Sequence, residues 1–370
     1  MALNLDSSNY DYKFLFKVNR SIINSVYGLA IGLSLVSLLL ITTGESPISV
    51  FTEFLHGSVS SRENLLLTID RMSPLLILGS AWLVASSVGT LNIGFIGQLA
   101  LGAVASTTAT NFLPFSGFGN IILSIFCGFM GGAIWALIPG LLKYHFNANE
   151  ILTTLMLSSI GTYFLSWVVG GPLRKDGSVT AVSEQLSISN RLPNFFGTSV
   201  DIGLVISISL LILVGIYLKK SKLGLTARFI RTNPENETLS RINIPAYQCL
   251  GLTISGGISG LAGSMLIFGG PTFTLSDGVG AREGLDGIVV ALLAQGSITG
   301  IFLSAALIAI TQRGAAWASV TIGLSKDSGY MIQGILVISM AATFNSNFVN
   351  KTNKLLIQLK KRCGSSNEPV

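Results

Sequence analysis

Asn92 and Gln98 stand six residues apart with Gly94 and Gly97 between them, in the stretch SVGTLNIGFIGQLALGA at 87–103. From Met72 to Leu142 the chain carries no Asp, Glu, Lys or Arg. At about 1.5 Å per helical residue and about 20 residues per crossing, that run is long enough for about three passes through a bilayer. Amides and clustered glycines have no use on a lipid-facing surface. They belong either to an unwound stretch that shows polar groups to a cavity or to hydrogen bonds between packed helices. A second candidate is Asp286, which lies between Gly284 and Gly287 in the run GLDGIVVALLA at 284–294. A carboxylate at membrane depth is a functional candidate by default; the alternative is a helix-start acid paired with Arg282. Asn92, Gly94, Gly97, Gln98, Asp286 and Gly287 are therefore expected to line a solute pathway.

The elements that must position these residues are helices in a membrane. The chain is 49% hydrophobic and 11% charged, against about 25% charged in soluble proteins. Apolar segments recur at helical lengths and no series of short alternating strands is seen, so the fold class expected is all-α, a polytopic membrane helical bundle rather than a barrel. The two histidines are far apart, and Cys127, Cys249 and Cys363 are scattered with no CxxC. Neither a metal site nor a disulfide framework is indicated, and no nucleophile–base pair supports an enzyme. No basic run with interleaved aromatics points to nucleic acid. The polar N-terminus leads into an apolar run at 21–41 without a cleavage site, which reads as a retained first helix.

About ten spans are expected, near 21–42, 72–90, 92–112, 119–142, 150–170, 201–218, 246–268, 280–297, 299–312 and 329–345. The eighth and ninth share too few uncharged residues for two full crossings, which leaves room for broken helices or for charges at the membrane edge. Basic residues cluster at Lys13–Arg20, at Lys143, from Lys219 to Arg241 and from Lys351 to Arg362. The positive-inside rule then puts both termini in the cytoplasm. The domains expected are a cytoplasmic segment at 1–20, a transmembrane domain at 21–345 and a cytoplasmic tail at 346–370. Two long external loops follow, 43–71 and 171–200, the second either a docking surface or a solvated loop.

The long cytoplasmic loop is 219–245. Asn233-Pro234-Glu235 reads as a helix start: Asn caps, Pro fits the first helical position, and the acid suits the positive end of the dipole. That helix runs to about Ile242. It is either a handle for a motor subunit or a tidy loop helix whose basic residues enforce topology. Asn149-Glu150 reads the same way at the start of the fifth span. SGGISGLAGS at 255–264 predicts close helix approach, inside the chain or at a dimer interface.

Several stretches together resemble one family. NIGFIGQLALGA at 92–103 is similar to its NIGxEGQ segment, NEILTTLMLSSIGTYF at 149–164 to NE[IV]xxTxML, and GLDGIVVALLA at 284–294 to GFDGIAVALLG. The loop GGPLRKDGS…RLP at 170–193 is similar to that of the larger of two paired permeases. GLTARFIRTNPENETLSRINI at 224–244 resembles the coupling loop RAxGxNPxAAxxxGI. The family is that of permease subunits of ATP-driven (ABC) importers for nucleosides and simple sugars, related to branched-chain amino acid and ribose permeases. Where relatives carry Glu, Asn and an alanine pair, this chain has Ile96, Ser158 and Glu235-Asn236-Glu237.

The resemblance implies a transport subunit in a prokaryotic cytoplasmic membrane, with no cofactor of its own. ATP and magnesium would be handled by cytoplasmic ATPase subunits. A second permease, the same or different, and an extracytoplasmic solute-binding protein would complete the unit. Arg228, Asn233, Pro234, Glu235 and Arg241 would couple it to the ATPase. The same architecture serving branched-chain amino acids is one alternative; an ion-coupled transporter using Asp286 is another.

Overall fold

The computed structural model of the protein describes residues 27–28, 30–112, 117–195, 198–232 and 243–344. In chain order the helices are α1 (Ala30–Thr42), α2 (Pro47–Val59), α3 (Arg62–Asp70), α4 (Met72–Ser87), α5 (Phe95–Phe112), α6 (Phe118–Phe146) and α7 (Glu150–Gly170). They continue as α8 (Gly203–Lys220), α9 (Lys222–Thr232), α10 (Ile244–Phe268), α11 (Ala281–Ala294), α12 (Ile298–Thr321) and α13 (Lys326–Phe344). Among the described residues, β pairing is limited to two isolated bridges, Val182 with Ser276 and Asn194 with Asp201. The all-helical membrane class holds. Among the described residues, six stretches are long and apolar enough to cross a bilayer: Arg62–Ser87, α6, α7, α8, α10 and α12. A seventh is added if α1 and α2, bent by 120°, count as one broken span.

Three expected loops differ from the structure. The external loop 43–71 holds α2 and α3. Pro47 opens α2, and Ser61 caps α3, its side chain accepting from the Asn64 amide with Glu63 in the first turn, an arrangement that satisfies a helix start. The loop expected at 219–245 begins with α9, whose buried Gly224, Ala227 and Ile230 recur at helical spacing. The loop expected at 171–200 is tied down. Its Ser183, Leu186 and Leu192 amides donate to the carbonyls of Leu275, Phe273 and Phe268 at 2.8, 2.9 and 3.0 Å.

The chain forms two compact units, Met1–Gly57 with Gly314–Val370, and Ser58–Arg313. In the first, Val36, Leu40, Val50, Phe54, Ala318, Leu324, Ile332 and Leu336 make an apolar core. Glu53 serves as its polar anchor, accepting from Trp317 Nε1 at 3.0 Å and Thr321 Oγ1 at 3.1 Å.

The second unit is built around α10, which packs on α6, α4 and α5. Its small residues are the reason. A Cβ on Gly256 would run into Ala136 and the Gly132 carbonyl, one on Gly260 into the Gly128 carbonyl, and one on Gly263 into the Leu99 carbonyl. The close approach expected of 255–264 is thus made inside the chain, to α5 and α6, where backbones in contact gain packing that lipid cannot replace. α11 has 14 residues, about 21 Å of helix, short of the about 30 Å hydrocarbon core. It ends where Gln295 and Gly296 take φ of 50° and 75°. α12 follows with 24 residues, so one short helix and one full one fill the segment where two crossings did not fit.

Substitution at Gly260 tests this arrangement. Gly260→Ala is expected to cost about 1–3 kcal/mol by overpacking backbone against backbone. Gly119→Ala on α6, where a Cβ meets nothing within 4 Å, should gain up to about 1 kcal/mol. Thermal unfolding of the detergent-solubilised variants compares the two; equal stability would refute the packing argument.

Candidate functional site

α4 ends at Ser87, Gly89 turns at φ 77°, and residues 91–94 run without helical structure until α5 begins at Phe95. The expected unwound stretch is therefore present, and it brings Asn92 and Gln98 together. Asn92 Nδ2 donates to Gln98 Oε1 and Gln98 Nε2 donates to Asn92 Oδ1, both at 2.9 Å. Asn92 also donates to Ser255 Oγ on α10 at 2.9 Å and accepts from the Gly94 amide at 3.0 Å. Both side chains are buried. Gly94 and Gly97 are small because space demands it: a Cβ would lie 2.7 Å from Gln98 Nε2 at the first and 2.7 Å from Ser158 Cα at the second. Ile93 N also reaches Thr154 Oγ1 at 3.4 Å, so this segment meets the NEILTTLML helix directly. The amides are spent on holding α5, α7 and α10 together, a role in which membrane hydrogen bonds average about 0.6 kcal/mol each.

Asp286 is buried on α11. It accepts from Gln312 Nε2 on α12 and lies 3.5 Å from Arg282 Nε, one turn earlier on its own helix. A buried carboxylate needs such partners. Gly284 packs on Ile96, with the Ile96 Cα 2.9 Å from the position a Cβ would take, and Gly287 packs on Leu78 at 2.6 Å by the same measure. The two sets of expected pathway residues therefore sit on touching elements, joined at the Ile96–Gly284 contact. Their polar atoms are paired separately. Gln312 carried no signal in the sequence beyond being one more amide at the end of an apolar run.

Glu150 behaves as a first-turn acid. Asn149 caps α7 by accepting from the Ile151 and Leu152 amides at 3.0 and 3.3 Å, and Glu150 pairs with Lys143 at 3.0 Å. Of the expected coupling residues, Arg228 lies in α9. Its side chain, and all of Asn233, Pro234, Glu235 and Arg241, fall outside the described residues.

A cavity of about 520 Å³ lies where the start of α4, the connection before α8, the end of α10 and the start of α11 converge. Asp70, Arg71, Ser73, Asp201, Phe273, Glu283, Gln312 and Arg313 line it together with apolar Leu67, Leu75, Met265 and Leu266. Sequence reasoning placed no cavity here because its lining comes from five separate segments. The Asp201 amide donates to Asp70 Oδ1 at 3.1 Å, bringing two carboxylic acids together across 131 residues of sequence. Ser73 Oγ is buried and has no hydrogen-bond partner among the described residues. Burial first, and then the Asp70 carboxylate, push Asp201 up to about 6, against the pull of the Gly203 and Leu204 amides.

The model of the family described as branched-chain amino acid transport system / permease component matches residues 64–341. The chain is 26% identical over 306 residues to the nucleoside ABC transporter permease protein NupB of Lactococcus lactis, covering 80% of this chain and 84% of that one. It is 24% identical over 324 residues to the guanosine ABC transporter permease protein NupP of Bacillus subtilis, covering 86% and 92%. Identity to the glucose ABC transporter permease protein TsgB13 of Haloferax volcanii is 24% over 316 residues, covering 81% of each. No solved structure gives a significant match.

The Asp201 environment carries a pH signature. A carboxyl raised above its usual value of about 3.9 weakens the fold once it ionises. The penalty is absent below about pH 4, where the acid is protonated folded and unfolded, and complete above the folded value. Asp201→Asn removes the charge, so it should raise the melting temperature at about pH 7.5 and lose that gain near about pH 4. Melting curves at the two pH values decide it; a gain of equal size at both would contradict the burial of this carboxylate.

Proposed function

Because the chain belongs to the branched-chain amino acid transport system permease component family, we propose that it is the membrane permease of an ATP-binding-cassette importer that carries a nucleoside or simple sugar inward. The observation that carries this is the family match across 64–341, joined to relatives named for nucleosides, guanosine and glucose over four fifths or more of the chain. The family name alone points to amino acids; NupB, NupP and TsgB13 point to nucleosides and sugars.

The topology read from the charges completes the proposal. Gly140 of α6 packs on Cys249 and Val88 on Gly251, so the ends of α4 and α6 share one end of the second unit with the start of α10. Leu83 and Lys219 line one small pocket, which adds the end of α8 to the same side. That end bears Lys143, Lys219 and Lys220, and the positive-inside rule makes it cytoplasmic. Ten spans with both termini inside are consistent with this. The 171–200 loop and the cavity then face outward, toward a binding protein that delivers solute. The sequence carries no G-x-x-x-x-G-K-[ST] phosphate loop, so nucleotide hydrolysis falls to ATPase partners, and a second permease pairs with this one in a prokaryotic cytoplasmic membrane.

In this reading Asn92, Gly94, Gly97 and Gln98 form the inner hinge of the pathway. Asp286 and Gly287 lie on the short helix that packs beside it. Arg228, Asn233, Pro234, Glu235 and Arg241 transmit closure of the ATPase dimer. The ion-coupled alternative needs a carboxylate free to exchange its ion, and Asp286 is already engaged by Gln312 and Arg282, which favours the importer.

Proteoliposomes containing this chain, its second permease, the ATPase and the binding protein should take up nucleoside only when ATP is supplied. Uptake by this chain alone under an ion gradient would defeat the proposal. Replacing Asn233-Pro234-Glu235 by Ala-Gly-Ala should abolish uptake, to below about a tenth of the wild-type rate, while leaving the protein in the membrane; normal uptake would remove these residues from coupling.

A further inference from the structure

The cavity at the outward end of the second unit carries more information than its position. Its volume of about 520 Å³ falls within the range of about 300–1,000 Å³ of small-molecule sites. It mixes apolar wall with a few polar groups, as such sites do. Three features of the wall bear on what it takes.

The first is Phe273, which lines the cavity with φ at 53°. A bulky residue in the left-handed region is strained and persists only where its surroundings hold it. Here they do. The Leu186 amide donates to the Phe273 carbonyl at 2.9 Å, and the Arg191 guanidinium lies 4.3 Å from the ring centroid. Arg191 is itself fixed by donating from Nε and Nη2 to the Leu186 carbonyl at 3.0 and 2.9 Å. The aromatic ring is thus mounted rigidly in a cavity wall, with a cation at its face. That suits a flat ring stacking on it.

The second is the acidic pair. Asp70 and Asp201 are linked by the 3.1 Å hydrogen bond from the Asp201 amide, and acids placed together accept from adjacent hydroxyls, as an acidic side chain does from a ribose. The third is the unused hydrogen-bonding capacity of Ser73 Oγ, on a residue more than nine-tenths buried. Buried polar atoms left in this state call for a partner from outside the chain. The wall holds both acids (Asp70, Asp201, Glu283) and arginines (Arg71, Arg313), which favours a neutral solute over an ion. Gln312 lines the cavity and donates to Asp286, so the floor of the cavity is the short helix of the pathway.

We propose that this cavity is a solute site within the single subunit and that it takes a nucleoside, the base stacked on Phe273 and the ribose hydroxyls held by Asp70 and Asp201. The inference rests on the permease reading above and narrows its solute class. A hexose has the hydroxyls but no flat ring to stack, and a branched amino acid has neither.

Photolabelling of the full chain in lipid nanodiscs with 8-azidoadenosine, followed by peptide mapping, tests it without any partner subunit. Adducts are expected within 67–75, 190–201 or 265–273, protected by adenosine and not by glucose or leucine. Phe273→Ala should weaken labelling about tenfold, the size of effect given by losing one stacked base, whereas Phe273→Trp should retain it. Adducts confined to other segments, protection by glucose or leucine equal to that by adenosine, or labelling unchanged in Phe273→Ala would each overturn the site. The wild-type map stands even if Phe273→Ala fails to fold. Uptake in the complete ATP-driven system is read separately: glucose or leucine uptake with no adenosine labelling would sink the nucleoside site and keep the importer, whereas loss of all ATP-driven uptake would sink the importer reading while the labelling still decides the site.

Discussion

Backbone contact between α10 and its neighbours α5 and α6 is the constraint on which the rest of the second unit depends. In lipid, apolar side chains gain little by leaving one hydrocarbon environment for another, so helices hold together by close fit and by hydrogen bonds. Gly256, Gly260 and Gly263 allow that fit by removing the side chains that would keep the axes apart. Once α10 and α5 are this close, Ser255 reaches Asn92 and the amide cluster can close. The unwound turn at 91–94 is then affordable, because its exposed polar groups find partners in the gap the glycines create.

The same constraint accounts for α11. A helix of 14 residues cannot span a bilayer on its own, and its polar start would be costly in lipid. It is held instead against protein: Gly280 on Leu99, Gly284 on Ile96 and Gly287 on Leu78. Asp286 is covered by Gln312 and Arg282. Broken crossings thus occur on both sides of one contact, and each supplies what the other needs to be buried.

Much of this was legible in the sequence because it depends on local composition. The uncharged run from Met72, the cap at Asn149, the small-residue stripe at 255–264 and the shortage of residues for two crossings between Asp286 and Arg313 are visible without coordinates. α2 and α3 were not, because Glu45, Glu53, Arg62, Glu63, Asp70 and Arg71 lower the apolar signal of 43–71 and give it the look of a loop. The cavity was hidden for a different reason. Asp70 meets Asp201, and Arg191 meets Phe273, across long sequence separations, and none of these residues sits in a recognisable pattern. The unpaired state of Ser73 is a property of its surroundings and has no sequence signal at all. Asn92 and Gln98 stood out in the sequence as flanking an unwound stretch, but their mutual pairing is visible only in the side-chain geometry.

The Ile96–Gly284 contact has a further consequence. A channel through a membrane that must keep an ion gradient has to be electrically tight whenever solute is absent. At this contact the chain presents a branched hydrocarbon pressed onto a bare backbone, and the Asn92 and Gln98 amides nearby are paired with one another. Water entering that seam would find no donor or acceptor to bind and would leave its own hydrogen bonds behind. If the proposed pathway runs beside this contact, the seam that joins the two broken segments would also resist the passage of protons.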